Sequence, residues 1–393
     1  MTKRVTLIDS LRGFSLVGIL LANLLIFQYG IWGKQELDVS TLSKLDFISL
    51  RFIQIAVEYS FLPIFTLLFG YSLIKLVEAI KKRREKTRWH LVRRALGLVV
   101  IGYIHSTYIW EGDILLFYGM MLFMLLPFVY RKPKTLFIWG AIFFFLTSPF
   151  GYGMYEQSND DGVEMQQYIE KANDVYQNGT YSEILEFSNT VMPPVFDDPL
   201  YVFLLIVLSP FSMISLFLIG MGMAKIQFFK QPTQEKRFYV IGSILIPVGL
   251  ALKALSFNSN IEAWSAILLQ MGGQMLALGY VSLFALLYSK YSRNFMFSAF
   301  ESVGKLSLTN YLMQSVICTF VFYGYGLGYF ARMGVFNSII LGLVIFAVQC
   351  GLSTLYIRYF KRGPIEQILR MWTNFSFNGN VKQLSKNSAD KVS

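Results

Sequence analysis

The chain has 393 residues, 54% of them hydrophobic and only 15% charged, with a mean hydropathy of +0.49. A soluble domain carries about 25% charge, so lipid is the expected solvent and the expected fold is an all-α, polytopic membrane helix bundle. The net charge of +11 does not point to nucleic acid, because the basic residues sit in short loops between apolar runs. Cys318 and Cys350 lie in apolar runs and read as small buried hydrophobes, with no metal spacing and no disulfide framework.

The basic start at Met1–Arg4 leads into an apolar run carrying Asp9, Arg12 and Asn23. No small-residue cleavage site precedes Lys34, so this run reads as an uncleaved first span. A bilayer core needs about 20 apolar residues per helix. By that ruler about ten transmembrane helices are expected, at 11–29, 60–77, 95–109, 114–130, 136–149, 200–223, 238–255, 263–288, 306–323 and 335–359. Lysine and arginine gather at 81–94, 131–134, 225–237, 290–293 and 358–370, all on one side. The positive-inside rule then puts both termini in the cytoplasm of a plasma-membrane protein.

The opposite side takes the acids. Residues 151–199 form a long polar segment with Lys171 as its only basic residue, and apolar positions in 163–176 and 181–187 recur at helical spacing. A small extracellular helical insertion is expected there. Residues 363–374 read as an interfacial amphipathic helix with Trp372 at headgroup level, and 46–59 as its counterpart outside. The expected organisation is one multi-pass domain over 1–374, followed by a disordered cytoplasmic tail at 375–393.

An ionisable residue within a span is a functional-site hypothesis by default. Asp9 and Arg12, three apart, can pair on one helix face as an interfacial anchor. Alternatively Arg12 grips an anionic group such as a cofactor phosphate. Arg93 and Arg94 could contribute, or could simply mark topology. Asn23 and His105 each lie eleven residues beyond an arginine, about 16 Å deeper at helical rise, so they could line one cavity. A neutral imidazole suits proton transfer near pH 7. Asp113, across the Trp110–Glu111–Gly112 turn, could orient it, or could merely cap the helix beginning at Ile114. His90, in the basic loop, reads as a solvated surface residue. Asn310 and Gln314 share a face of the ninth span and serve either as helix-packing glue or as substrate-lining groups.

Several motifs carry a resemblance. They are Leu7–Phe14 (Leu-Ile-Asp-Ser-Leu-Arg-Gly-Phe), Gly18–Asn23, Phe65–Gly70, His105 through Gly112–Tyr118, Gly304–Ser315 and Lys361–Arg370. Together they resemble the YeiB-type family of bacterial membrane proteins (domain-of-unknown-function family 418). In the closing motif Gln367 and Leu369 replace that family's usual tryptophans. The opening Asp-x-Leu-Arg-Gly signature is similar to that of the transmembrane acyltransferases, which deliver an acyl group from cytoplasmic acyl-CoA across the bilayer. That resemblance implies an acyl-CoA donor near Arg12 and a cell-envelope glycan or lipid as acceptor. His105 as the base rests on the physical argument alone.

The leading expectation is therefore a membrane-embedded acyltransferase with His105 and Asp113 as catalytic pair and no metal. The alternative is a transporter or exporter of a small molecule or lipid, with His105 relaying protons. A sensor or scaffold built on the extracellular segment is a third. Against transport stands the lack of an inverted hydropathy repeat and of paired broken helices.

Overall fold

The structure, a computed structural model, describes residues 5–35, 37, 39–83, 86–147, 159–197 and 199–377. The expected disordered tail beyond 377 and the start of the insertion at 151–158 lie outside the described residues. In chain order the helices are α1 Thr6–Tyr29, α2 Lys44–Phe52, α3 Phe61–Lys82, α4 Thr87–Tyr108, α5 Leu115–Leu125 and α6 Pro133–Thr147. Then come α7 Asn159–Asn178, α8 Tyr181–Thr190, α9 Pro199–Lys225, α10 Lys236–Ser243 and α11 Leu245–Leu255. The last are α12 Ser265–Tyr291, α13 Phe295–Lys305, α14 Ser307–Phe322, α15 Val335–Tyr359 and α16 Pro364–Asn374.

Among the described residues, five helical stretches are long and apolar enough to cross a bilayer: Thr6–Tyr29, Lys44–Lys82, Lys236–Leu255, Ser265–Tyr291 and Val335–Tyr359. Those five, and not ten, meet the criterion. For four of the other expected spans the reason is physical. α4 is 22 residues long, but its first turns carry Arg88, Arg93 and Arg94. The apolar stretches Leu115–Phe128, Pro133–Thr147 and Ser307–Phe322 are each shorter than about 18 residues.

α1 is the central helix and packs on α3, α12, α13, α14 and α15. Lipid tails are as apolar as leucine, so these helices are held by close packing rather than by release of water. Reciprocal glycines set the closest pairs. A Cβ at Gly13 on α1 would run into the Phe300 carbonyl of α13, and one at Gly304 into the Asp9 carbonyl of α1. Gly70 and Gly220 do the same between α3 and α9, as do Gly249 and Gly272 between α11 and α12.

The two ends of the bundle differ in chemistry. At one, Lys81 lies over the Tyr130 ring at 4.7 Å, Lys225 donates to the Arg131 carbonyl, and the Trp372 indole donates to the Arg93 carbonyl at 2.9 Å. This is the basic end. At the other end α8 is capped by Thr180, whose backbone N–H and hydroxyl donate to Glu183 at 2.8 Å and hold that carboxyl below its usual range. There α7 and α8 dock on the bundle: the Tyr181 hydroxyl donates to the Tyr108 carbonyl at 2.7 Å, and Gly324 N–H to the Tyr176 carbonyl at 2.8 Å.

The stretch expected to lie outside at 46–59 is α2 followed by one π-helical turn, Ile53–Val57, and a break at Tyr59 with φ +57°. The buried ammonium of Lys253 ties this break to α11, donating to the Glu58 carbonyl and to Ser60 Oγ (3.3 Å), while Lys34 pairs with the Glu58 carboxylate at 2.7 Å. A charge with no water must find such partners. Cys318 is buried as expected; Cys350 is only half-buried.

Gly304→Ala is expected to destabilise the protein by about 1–3 kcal/mol, the usual cost of overpacking a tight contact. Gly351→Ala, where a Cβ meets nothing within 4 Å, should be silent. Chemical denaturation of the two variants in detergent measures the difference.

Candidate functional site

The last turn of α4 contains His105, whose carbonyl accepts from both Ile109 N–H and Trp110 N–H at 2.9 Å. The chain turns through Trp110, which packs on Phe27 of α1 with ring centres 4.0 Å apart. It then returns as α5. Gly102 permits that return, because a Cβ there would collide with the backbone of Leu116 and approach Asp113 Oδ2.

The turn brings Asp113 back onto the histidine. Asp113 Oδ1 lies 2.7 Å from His105 Nδ1, and both side chains are 1% exposed. Asp113 Oδ2 accepts from Leu116 N–H at 2.7 Å. One carboxylate therefore orients the imidazole and caps α5 at the same time. The two alternatives posed for Asp113 are two oxygens of one group.

A carboxylate acceptor at Nδ1 fixes the proton on that nitrogen in the neutral ring and leaves Nε2 with its lone pair. Nε2 is buried and has no hydrogen-bond partner, an uncommon condition for a buried polar atom. Tyr311 of α14 lies against the imidazole with ring centres 5.5 Å apart, and its hydroxyl accepts from Ile114 N–H at 3.2 Å.

Tyr311 also lines a cavity of about 580 Å³ that runs inward from the basic end. Eight lysine and arginine side chains line it against two carboxylates, Asp9 and Glu366. Arg12 donates to Asp9 Oδ1 at 3.2 Å and to Ser72 Oγ, and Arg94 stands on the same lining. Beyond Arg12 the walls are apolar or aromatic, through Leu16, Ile19, Phe69 and Tyr118. The Tyr118 hydroxyl pairs with Thr66 Oγ1 at 2.8 Å, and Thr66 donates onward to the Leu62 carbonyl. The dyad itself is not part of the lining.

Other expected site residues fall elsewhere. Arg93 stacks over Phe375 at 4.5 Å, away from the cavity. Asn23 is half-buried and is not on the cavity lining. Asn310 donates to the Val303 carbonyl and to Ser353 Oγ, and Gln314 to Gln349 Oε1 at 2.9 Å; these bonds join α14 to α15 and lie off the cavity. His90, expected on the surface, is buried on the cavity wall, because the loop before α4 is short and α4 begins at Thr87, so His90 lies in its first turn.

Three contributors escaped the sequence reading. Tyr311 and Gly102 are ordinary residues of apolar helices, and only the α4–α5 and α14 packing gives them a place beside the dyad. Glu366 belongs to the amphipathic helix expected at the membrane interface. Its carboxylate instead accepts from Leu308 N–H (2.8 Å) and Thr309 N–H (3.1 Å), capping α14 at the cavity wall. The Pro-Ile-Glu motif was visible, but not the helix terminus it meets. Among the described residues no cluster of metal-ligating side chains is present.

Comparison with known proteins adds kinship. Residues 223–376 match the family described as Protein of unknown function (DUF418). The chain is 30% identical to Uncharacterized protein YxaH of Bacillus subtilis (strain 168) over 97% of each chain. It is 28% identical to Uncharacterized protein YeiB of Escherichia coli (strain K12), over 95% of this chain and 97% of that one. No solved structure matches.

Asp113→Ala should destabilise the protein by about 1 kcal/mol more than Asp113→Asn, because asparagine keeps a cap acceptor for Leu116 and alanine does not. Thermal melts of the two variants in one detergent check this.

Proposed function

This chain belongs to the DUF418 family, and from that premise we propose that it is a membrane-embedded acyltransferase, moving an acyl group from acyl-CoA to a cell-envelope glycan or lipid. One observation carries the reading: His105 Nε2 is buried and unbonded while Asp113 holds Nδ1 at 2.7 Å, beside a cavity with cationic walls. Such a ring is prepared to accept one proton and to return it.

In this reading the phosphates of the donor sit among the cations of the cavity, with Arg12 and Arg94 the deepest. The pantetheine arm follows the apolar wall toward Tyr118 and Tyr311. His105 Nε2 takes the proton of the acceptor hydroxyl as its oxygen bonds to the thioester carbon. The carbon–sulfur bond then breaks, and the thiolate leaves with the proton returned by the imidazolium. Asp113 keeps the ring in register and stabilises its cation. A displacement of Tyr311 opens the way between cavity and ring.

The same reading places the basic end in the cytoplasm with both termini. It counts ten crossings by adding α4, α5, α6, α9 and α14 to the five long stretches. The acceptor is reached from the other side, under α7 and α8.

Calorimetry of acetyl-CoA and longer acyl-CoA against detergent-purified protein tests the donor. Saturable binding is expected, lost in Arg12→Ala and kept in His105→Ala, whose transfer activity is abolished. Folded protein that binds no acyl-CoA would sink the enzyme and favour transport. For the topology, proteolysis within 151–199 is expected in intact cells stripped of wall; cleavage confined to inside-out vesicles would reverse the orientation.

A further inference from the structure

The end of the bundle opposite the basic one has a recess of its own, where α7 and α8 meet the turn after α4. Its walls are the last turn of α4 with Trp110 and Glu111, Tyr176 of α7, Tyr181 of α8, and Tyr323 and Tyr325 beyond α14. The rings lean on one another: Tyr176 and Tyr323 lie 4.8 Å apart between centres, and Tyr181 meets Tyr325 edge-on at 5.5 Å. α8 is pinned over the turn by Tyr181, which donates to the Tyr108 carbonyl at 2.7 Å, and by Asn189, which donates to the Thr107 carbonyl at 3.2 Å. The recess measures about 20 Å³, and one water-sized group needs about 10–15 Å³. There is room for a single such group.

Among the described residues, Glu111 is the one charged side chain on that lining. It is exposed, so a small solute reaches it, yet the surrounding protein takes enough water from it to push its carboxyl above the usual range. Its hydrogen bond is a long one, from the Tyr176 hydroxyl to Oε1 at 3.5 Å, whereas a carboxylate can accept about four. The cations of this end are engaged elsewhere. Lys171 lies 5.9 Å over the Phe187 ring, Arg332 donates to the Gly328 carbonyl and to Asn178, and Lys34 pairs with Glu58. A carboxylate drawn out of water without a counter-ion is costly, and the faces of tyrosine rings attract a cation. α7 and α8 carry acids against Lys171 alone, and such a field concentrates cations.

We propose that this recess binds a primary ammonium group, with Glu111 as its counter-ion and the tyrosine rings as its walls. Size selects the class, because an ammonium head is as large as a water molecule and a trimethylammonium head exceeds the space. Charge selects it too, since a neutral hydroxyl would leave Glu111 without a counter-ion. The site goes beyond the acyl-transfer reading and stands without it; within that reading it makes the acceptor an amine-bearing molecule, held on the same turn as Asp113. A lipid headgroup and a soluble or glycan-borne amine both supply this group, and the chemistry at Glu111 is the same for either.

Saturation-transfer NMR on full-length protein, in maltoside detergent and amine-free buffer, tests the site with ethylammonium as the probe. Saturable transfer is expected for ethylammonium and not for tetramethylammonium at equal ionic strength. Glu111→Gln should weaken binding about tenfold, the factor that a hydrogen bond to a charged group is worth. Glu111→Ala gives the same readout should Glu111→Gln not fold. Nanodiscs of phosphatidylethanolamine and of phosphatidylcholine separate the sources. Weaker ethylammonium binding in the former assigns the site to a lipid headgroup, and equal binding in both assigns it to a soluble or glycan-borne amine. The proposal is overturned by ethylammonium that shows no saturable transfer, by binding that survives loss of the Glu111 carboxylate, or by tetramethylammonium that binds equally well. Ammonium binding in a protein that binds no acyl-CoA keeps the site and removes the acyl donor; acyl-CoA binding without ammonium binding does the reverse.

Discussion

Close approach of backbones is the constraint on which this bundle depends. Hydrocarbon offers helices no gain from expelling water, so dispersion contacts between surfaces brought within touching distance must supply the attraction. The reciprocal glycines on α1 and α13, α3 and α9, and α11 and α12 remove the side chain where each pair crosses. Gly102 belongs to the same set, for it lets α5 fold back against α4, and the His105–Asp113 contact is a product of that crossing. The candidate chemistry is thus set by the packing rule that holds the membrane helices together.

Polar groups inside the bundle divide into two kinds. Asn310, Gln314, Gln349 and Ser353 satisfy one another between α14 and α15, and Lys253 is spent on the break before α3. These are closed accounts of donors and acceptors. His105 Nε2 remains open, and the cavity beside it carries a surplus of positive charge. Gln28 Nε2 and Gln274 Oε1 are also buried without a hydrogen-bond partner, so it is the cationic cavity beside His105, and not the open atom alone, that separates the candidate site from the scaffold.

Periodicity and charge made much of this legible in the sequence. The apolar runs, the single basic end and the Asp113 return to His105 follow from local pattern, because a helix, a tight turn and a second helix fix where residues eight apart can meet. The remainder depends on contacts between distant segments. Tyr311 meets Ile114 across 197 positions and Glu366 meets Leu308 across 58, and no local pattern encodes either. Asn23 and His105 lie at matching depth, but depth says nothing about which face of a helix looks inward. α5, α6 and α14 fall short of the length that a count of ten spans assumes.

The contacts that complete the site also arrive late in the life of the chain. The last-turn carbonyls of α4, at Thr107 and Tyr108, accept from Asn189 and Tyr181, and the N–H of Ile114 waits for Tyr311. A ribosome supplies these segments in order, and folding follows synthesis. The histidine hairpin is therefore made with its ends unsatisfied and is finished only when α8 and α14 have been synthesised and packed beside it. Assembly order becomes a safeguard: a truncated chain contains every residue of the dyad but lacks the partners from α8 and α14 that complete it.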